Sequence, residues 1–477
     1  MSKYSKYPSY KDSGVEWLGE IPDGWSLMRY KYILKIFQGN AFKSSDYVDY
    51  SDVINIRMGN IKKGGKLDLS HNLKYLPEHY SLQYKDYKLS DKDIIIAMTD
   101  MSPSLEFLAV PATLENLDTN KVYLLNQRVG KLNFKGNTDS DYIKFTLLSY
   151  ELREYFKSSG LGTVQANMSN DDLYNAFLAL PPLQEQKAIA TYLDRATQKI
   201  DTLIAKQSSL IALLKEKRQA LISHAVTKGV ENEELRMKNE EFKDSGVAWL
   251  GEIPEGWNIS LLKRYCKITD GSHHSPKIQD SGYPFISVTD VGHNTIDFEN
   301  CKKISDVDFH RLIREGCKPG VGDVLLTKDG TIGRAAIVKR EYPMFVILSS
   351  LGLLTPNSKL HNHYLYYYLI SGYNIDQMNS MIHGSALKRM TISKIENLFI
   401  SFPIYVEQKK IATYLDQKTQ KIDTLISKAT QAITLLKEKR TALISAVVTG
   451  KVKVNGEARE GALGQDVRDF KESSDAF

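Results

Sequence analysis

QKAIATYLDRATQKIDTLIAKQSSLIALLKEKRQALISHAVT, from Gln186 to Thr227, returns as QKKIATYLDQKTQKIDTLISKATQAITLLKEKRTALISAVVT, from Gln408 to Thr449. One shift, Gln186 onto Gln408, aligns the two copies from end to end without a gap. In the first copy Ile189, Leu193, Ala196, Ile200, Leu203, Leu210, Leu214 and Leu221 recur at three- and four-residue spacing. In the second, Ile411, Leu415, Ile422, Leu425, Ala432, Leu436 and Leu443 do the same. That period marks one face of a helix. Sustained for about 40 residues, it predicts a helix about 60 Å long. Pro181, Pro182 and Pro403 stand at the entrances, where a missing N–H is tolerated. One such helix cannot bury its own stripe, so the two copies are expected to pack on each other as an antiparallel coiled coil.

A second block is also written twice. KDSGVEWLGEIPDGW (Lys11–Trp25) returns as KDSGVAWLGEIPEGW (Lys243–Trp257), under a slightly longer shift that carries Lys11 onto Lys243. The order is therefore constant block, variable segment, helix block, and then the same again, an internal pseudo-twofold repeat. The expected divisions are a constant segment 1–25, a first variable domain 26–183, a first spacer helix 184–227, a linker with the repeated constant segment 228–257, a second variable domain 258–405, a second spacer helix 406–450 and an irregular tail 451–477.

The variable segments share a skeleton beneath different letters. SDKDIIIAMTD (Ser90–Asp100) parallels GVGDVLLTKDG (Gly320–Gly330), with Asp93 at the place of Asp323. GTVQANMSNDDLYNAFLALP (Gly162–Pro181) parallels GSALKRMTISKIENLFISFP (Gly384–Pro403). VINIRM, DIIIAM and KVYLLN in the first, and YPFISVTDV, DVLLTKD, AAIVK and MFVILSSL in the second, read as strands. Tyr142–Phe156 and His363–Met378 read as single helices. The fold class expected is mixed α/β: two globular domains, each followed by a long helix.

Composition narrows the function classes. With 477 residues, 42% of them hydrophobic, the chain can build several real cores. A net charge of +6 is compatible with a nucleic-acid partner. Cys266, Cys301 and Cys317 form no C-x-x-C pair and are odd in number, which fits small buried thiols in a reducing compartment. The adjacent His273 and His274 point opposite ways on extended backbone, so no metal site is expected. No signal peptide or run of about 18 apolar residues is present, so the expected location is the cytoplasm, without a membrane.

Catalytic fingerprints are missing. No N/D-P-P-Y/F, H-E-x-x-H, G-x-S-x-G or glycine-rich nucleotide motif occurs. GNIKKGGKL (Gly59–Leu67) approaches a phosphate loop, but its lysine is one place late and Ser/Thr is lacking. The chain reads as a recognition protein. TKDGTIGR (Thr327–Arg334), HGSALKR (His383–Arg389) and SGLGTVQAN (Ser159–Asn167) combine glycine freedom with side chains that reach phosphates and base edges. Each alone would be an ordinary loop; their equivalence in two halves singles them out. The DNA-contact candidates are Lys328, Thr331, Arg334, His383, Ser385, Lys388 and Arg389, with Ser272, His273 and Lys277, in the second domain. In the first they are Thr99, Ser102, Thr163, Gln165 and Asn167. Lys and Arg suit phosphate or guanine, and Gln and Asn suit adenine.

The duplication, the GEIP-x-GW starts (Gly19–Trp25, Gly251–Trp257), the helix entrances Pro182–Asp194 and Pro403–Asp416, and the stretches DGSHHSP, FISVTDV and GDVLLTKDGTIGRAAIV resemble the specificity subunits of type I restriction–modification enzymes. The resemblance spans nearly the whole chain. The first domain departs from the pattern: SDKDIIIAMTDMSPS (Ser90–Ser104) has no D-G-T-I-G. The resemblance implies a non-catalytic subunit in which each variable segment is a target recognition domain for one half of a split, asymmetric DNA site. The helices would be a ruler and a dock for two methyltransferase subunits using S-adenosylmethionine. Motor–nuclease subunits using ATP and Mg would join that core, and this chain would bind no cofactor of its own. The competing expectation is a tandem coiled-coil scaffold whose globular domains bind proteins.

Overall fold

The computed structural model describes residues 5–159, 166–230, 241–247, 249–382 and 389–454. The chain forms two compact units, one built from 1–206 with 432–477, the other from 207–431. Two long helices, Leu183–Lys228 and Tyr405–Val448, each give one end to each unit.

In the first unit a four-stranded antiparallel sheet has the order Pro111–Thr113, Ile94–Ala97, Val129–Phe134, Leu34–Gln38. A second sheet runs Tyr75–Leu76, Val53–Ile56, Val122–Leu125, Lys88–Leu89, with Val53–Ile56 parallel to Val122–Leu125. Ile94, Ile95, Ile96 and Ala97 are all buried, which explains an unbroken apolar run where alternation would mark a half-exposed strand. The core continues into the helices: Ile189, Leu193, Ala196 and Ile200 pack with it, as do Leu443, Ile444 and Val447.

The second unit repeats the wiring. Its four-stranded sheet has the order Cys266–Asp270, Leu351–Pro356, Val324–Thr327, Ala335–Ile337. A three-stranded sheet follows, Lys302–Ile304, Tyr283–Ile286, Val346–Ile347, again with one parallel pair. Ile222, Val226, Ile411 and Leu415 bring the helices into this core. The helical stripe is fully buried only where such a core lies against it; Leu210 and Leu425 stay 44% and 49% exposed.

The repeated constant block folds the same way twice. Tyr10–Asp12 pairs with Glu20–Pro22, and Phe242–Asp244 with Glu252–Pro254. Gly14 N–H donates to Asp12 Oδ1 at 2.9 Å and Gly246 N–H to Asp244 Oδ1 at 3.0 Å, which sets the turn. The buried indoles of Trp25 and Trp257 then donate to Glu185 and Glu407 at the two helix entrances, at 3.3 and 3.0 Å. Tyr142 OH donates to Ala179 O at 2.6 Å and reaches Val448 O at 3.3 Å; Tyr364 OH donates to Ser401 O at 2.8 Å and reaches Val226 O at 3.1 Å.

Four elements differ from the sequence expectation. YPFISVTDV is a strand only over Tyr283–Ile286 and then turns through Val288–Asp290, with Ser287 N–H on Asp290 Oδ2 at 2.7 Å. MFVILSSL is not one strand: Val346–Ile347 lies in one sheet and Leu351–Pro356 in the other, because the chain turns between them with Leu351 N–H on Leu348 O at 3.0 Å. The expected single helices are pairs, Ser140–Leu147 with Tyr150–Ser159 and Asn362–Leu369 with Gly372–Ser380. Serine breaks them. Ser371 leaves helical geometry, caps Asn374 N–H at 3.3 Å and donates to Tyr368 O at 2.7 Å. An apolar period continues through such a break, so periodicity alone misses it. Ser371→Ala is expected to lower stability by about 1–2 kcal/mol, read as an earlier midpoint in urea unfolding.

Candidate nucleic-acid interface

In the second unit the buried strand Val324–Thr327 delivers the chain to Lys328. Lys328 N–H donates to Ser350 O at 3.0 Å, and Met390 N–H donates to Lys328 O at 2.8 Å. The chain then reverses. Gly333 has φ +92°, and a Cβ there would sit 2.3 Å from Ile375 Cδ1, so only glycine fits. Arg334 N–H closes the turn on Thr327 Oγ1 at 2.9 Å. Asp329 bridges Arg389 through the backbone, and its Oδ1 lies 3.2 Å from Arg389 Nε. A third loop enters at Gly271, whose backbone presses on Ile347 and Leu348. Ser272 Oγ then accepts His274 N–H at 3.0 Å.

These contacts sort the candidates. Lys328 is only 1% exposed, its ammonium 3.7 Å from Asp270 Oδ2 and 4.0 Å from Asp329 Oδ1. Ser272 is buried, and Arg334 Nη2 donates to Val288 O at 2.8 Å. These three form the framework of the loops. Arg389, Thr331, His273 and Lys277 are at the surface, with the Arg389 side chain 55% exposed and His273 Nε2 3.1 Å from Asp270 Oδ2. His383, Ser385 and Lys388 lie outside the described residues.

The first unit reaches the same juxtaposition without the glycines. Thr99–Asp100 pairs with Ala166–Asn167, and Thr99 Oγ1 donates to Asn167 Oδ1 at 2.9 Å. Thr99 is buried and Asn167 exposed. A carboxylate organises the loop: Asp100, 1% exposed, accepts from the N–H groups of Ser102 at 2.7 Å, Phe107 at 2.7 Å and Leu108 at 3.2 Å. Ser102 is partly buried. Arg153 holds the far side through Glu106 O at 2.9 Å and Leu108 O. Burial pulls the Arg153 guanidinium down to about 10, against the pull of nearby Asp100, so it stays charged at neutral pH. Thr163 and Gln165 lie outside the described residues.

Sequence reasoning passed over Asn40 and Arg128. The shift that carries Lys11 onto Lys243 also carries Asn40 onto Ser272, and Asn40 bridges Asn126 as Ser272 bridges Leu348. Arg128 stands where Ser350 does, its O accepting Met98 N–H at 3.0 Å. The constant-block shift, carried past Trp25, would have found Asn40.

The three thiols are buried, and burial raises Cys266 to about 12 and Cys317 to about 11. Among the described residues no group of three or more His, Cys, Asp or Glu is placed to hold a metal ion, and no helix is long and apolar enough to cross a membrane.

Comparison with known proteins agrees with the duplication. The sequence pattern of the type I restriction modification DNA specificity domain matches residues 22–212 and again 254–435. The EcoBI specificity subunit of Escherichia coli is 25% identical over 421 residues, 85% of this chain and 81% of that one. A putative MjaX specificity subunit from Methanocaldococcus jannaschii is 24% identical over 83% of this chain and 87% of its own. In fold, a solved chain from work on complex assembly and conformational transition of the type I R-M system covers 90% of this chain and 98% of its own, with TM-score 0.62 at 19% identity. With two matches that together take in most of its length, the chain belongs to the type I restriction–modification DNA specificity family.

Proposed function

We propose that the chain is the non-catalytic reader of a bipartite, asymmetric DNA site, with segments 26–183 and 258–405 as target recognition domains for one half each. One observation carries this. The contacts of the constant blocks recur at a fixed shift, whereas the loop residues at equivalent places differ. The constant frame supplies two equivalent docks for two copies of one methyltransferase. The variable loops supply two different readings. Asp201 lies 3.2 Å from Arg440 in the first unit, and Arg218 lies 2.9 Å from Asp423 in the second. The shift that carries Gln186 onto Gln408 carries Asp201 onto Asp423 and Arg218 onto Arg440. One ion pair made twice by exchanged ends of two helices is what an antiparallel coiled coil with pseudo-twofold symmetry requires.

Such a helix pair acts as a ruler. Two weak readers on a stiff spacer gain affinity only when their separation matches the DNA, about 34 Å per helical turn on one face. This chain holds no cofactor; S-adenosylmethionine belongs to the methyltransferases, and ATP and Mg to motor–nuclease subunits that join them. The test is a single-molecule methylation map of DNA from cells expressing the chain with its methyltransferase, against the methyltransferase alone. A split motif with methyladenine on opposite strands is expected, and exchanging residues 26–183 should change one half. No chain-dependent methylation would sink the reading in favour of a protein-binding scaffold.

Arg389, exposed and steered by Asp329, is the described residue best placed to read a base. Arg389→Ala is expected to relax one position of one half-site, at about 1–3 kcal/mol of discrimination. Lys277→Ala, a phosphate contact, should instead weaken all sequences alike and flatten the salt slope by about 1. Titrating duplex binding by the methyltransferase complex against salt checks both.

A further inference from the structure

The GNIKKGGKL stretch of the first unit, which fails as a phosphate loop, has a different place. Ile61–Lys62 pairs with Lys66–Leu67 as a short hairpin, turned through Gly64 at φ +81° and Gly65 at φ +83°. The turn lies on the ion pair between the long helices. Lys66 Nζ is 3.1 Å from Asp201 Oδ2, Arg440 Nε is 3.2 Å from Asp201 Oδ1, and Arg440 Nη2 donates to Gly64 O at 3.2 Å. The other side of the turn abuts the edge strand of the sheet: a Cβ on Gly65 would meet Pro111 O at 2.7 Å. Asp201 and Arg440 are 19% and 15% exposed, so their pairing is poorly screened, whereas Lys66 at 61% adds little alone.

The second unit builds the corresponding hairpin from other letters. Val291 bridges Ile296, and Asn294 at the tip fastens to the equivalent edge strand through Ala335 O and Ile337 N–H, both at 3.0 Å. His293, beside it, is within electrostatic reach of Arg218 and Asp423, the matching ion pair. Two unrelated turn sequences thus stand near the same pair of helix positions, in direct contact in the first unit.

We propose that this hairpin is a clamp, with Asp201 as a positioning residue that, through Arg440 and Lys66, fixes the recognition domain on its stretch of spacer helix and thereby restricts the gap length accepted between half-sites. The clamp rests on the bipartite reading above. It assigns gap discrimination to the hairpin–helix contact as well as to helix length, because avidity gains of roughly 10²–10⁴ survive only at matched geometry.

The experiment uses the full chain with its methyltransferase, in wild type, Asp201→Asn, Asp201→Glu and Gly64→Ala. Gly64→Ala strains the hairpin turn at φ +81° and removes neither charge of the Asp201–Arg440 pair. Two quantities are read: amide exchange at Gly65 and Asp68, and the methylation map sorted by gap length. Asp201→Asn and Gly64→Ala are expected to speed exchange at the hairpin and to raise methylation at sites with a gap one base pair wrong by about tenfold, with half-site bases unchanged. Asp201→Glu should restore most of the strictness. Unchanged hairpin exchange in Asp201→Asn overturns the clamp whatever the map shows. So does a strict gap in Gly64→Ala when Asp201→Asn relaxes it, which would leave the helix ion pair acting alone. A change of half-site bases in either variant also overturns it. A wild-type map with no split motif is a different failure, that of the bipartite reading, and the exchange data still judge the clamp.

Discussion

Asp100→Ala is expected to cost the first unit about 3–5 kcal/mol, the scale for removing one member of a buried charged network. Three backbone N–H groups, of Ser102, Phe107 and Leu108, lose their acceptor at once, and Arg153 loses the carboxylate beside it. Each buried orphan donor costs about 1–3 kcal/mol unless water reaches it. At about 2–4 °C per kcal/mol for a unit of this size, the melting temperature should fall by about 10 °C. Asp100→Asn should fall between, since one carbonyl oxygen cannot serve both sets of donors. The functional consequence is local. Asp100 holds the loop that carries Thr99 against Asn167, so methylation should fail through the half-site proposed for residues 26–183 while a duplex binding assay still detects the other half. A variant that melts normally would show that the loop does not depend on this carboxylate.

Trp25→Ala and Trp257→Ala are expected to behave as a matched pair. Each indole is buried, and each donates to the glutamate at a helix entrance. Truncating a buried aromatic of this size costs about 3–5 kcal/mol. Trp→Phe keeps most of the ring and loses the hydrogen bond, about 1 kcal/mol. In the first unit Glu185 also accepts from Tyr7 OH at 2.6 Å, and Tyr7 packs edge-on to Trp25 at 5.6 Å. Differential scanning calorimetry of both variants should therefore show losses of similar size. Neither should alter which bases are methylated, because both belong to the constant frame. A changed motif in either would contradict the division into frame and reader.

Much of the architecture was legible because repetition is a property of the letters. Two shifts, Lys11 onto Lys243 and Gln186 onto Gln408, predicted two like halves before any contact was known, and the helical period predicted both long helices. The buried run Ile94–Ala97 was legible as a strand for the same local reason. The candidate site was legible only as a set of loops. Arg389 and Lys328 look equally basic on paper, yet one side chain is 55% exposed and the other only 2%. What separates them is the strand order that places Asp270 under Lys328 and Asp329 beside Arg389.

The sequence by itself determined the period, the duplication, the long helices and the strand cores, because those follow from the spacing of apolar residues along the chain. Tertiary structure alone decided which ends of the two helices serve which unit, that Asp100 replaces glycines in the first loop, and that GNIKKGGKL meets Asp201 and Arg440. Those outcomes depend on groups far apart in sequence meeting in space, where burial and charge pairing act on neighbours that no local pattern records.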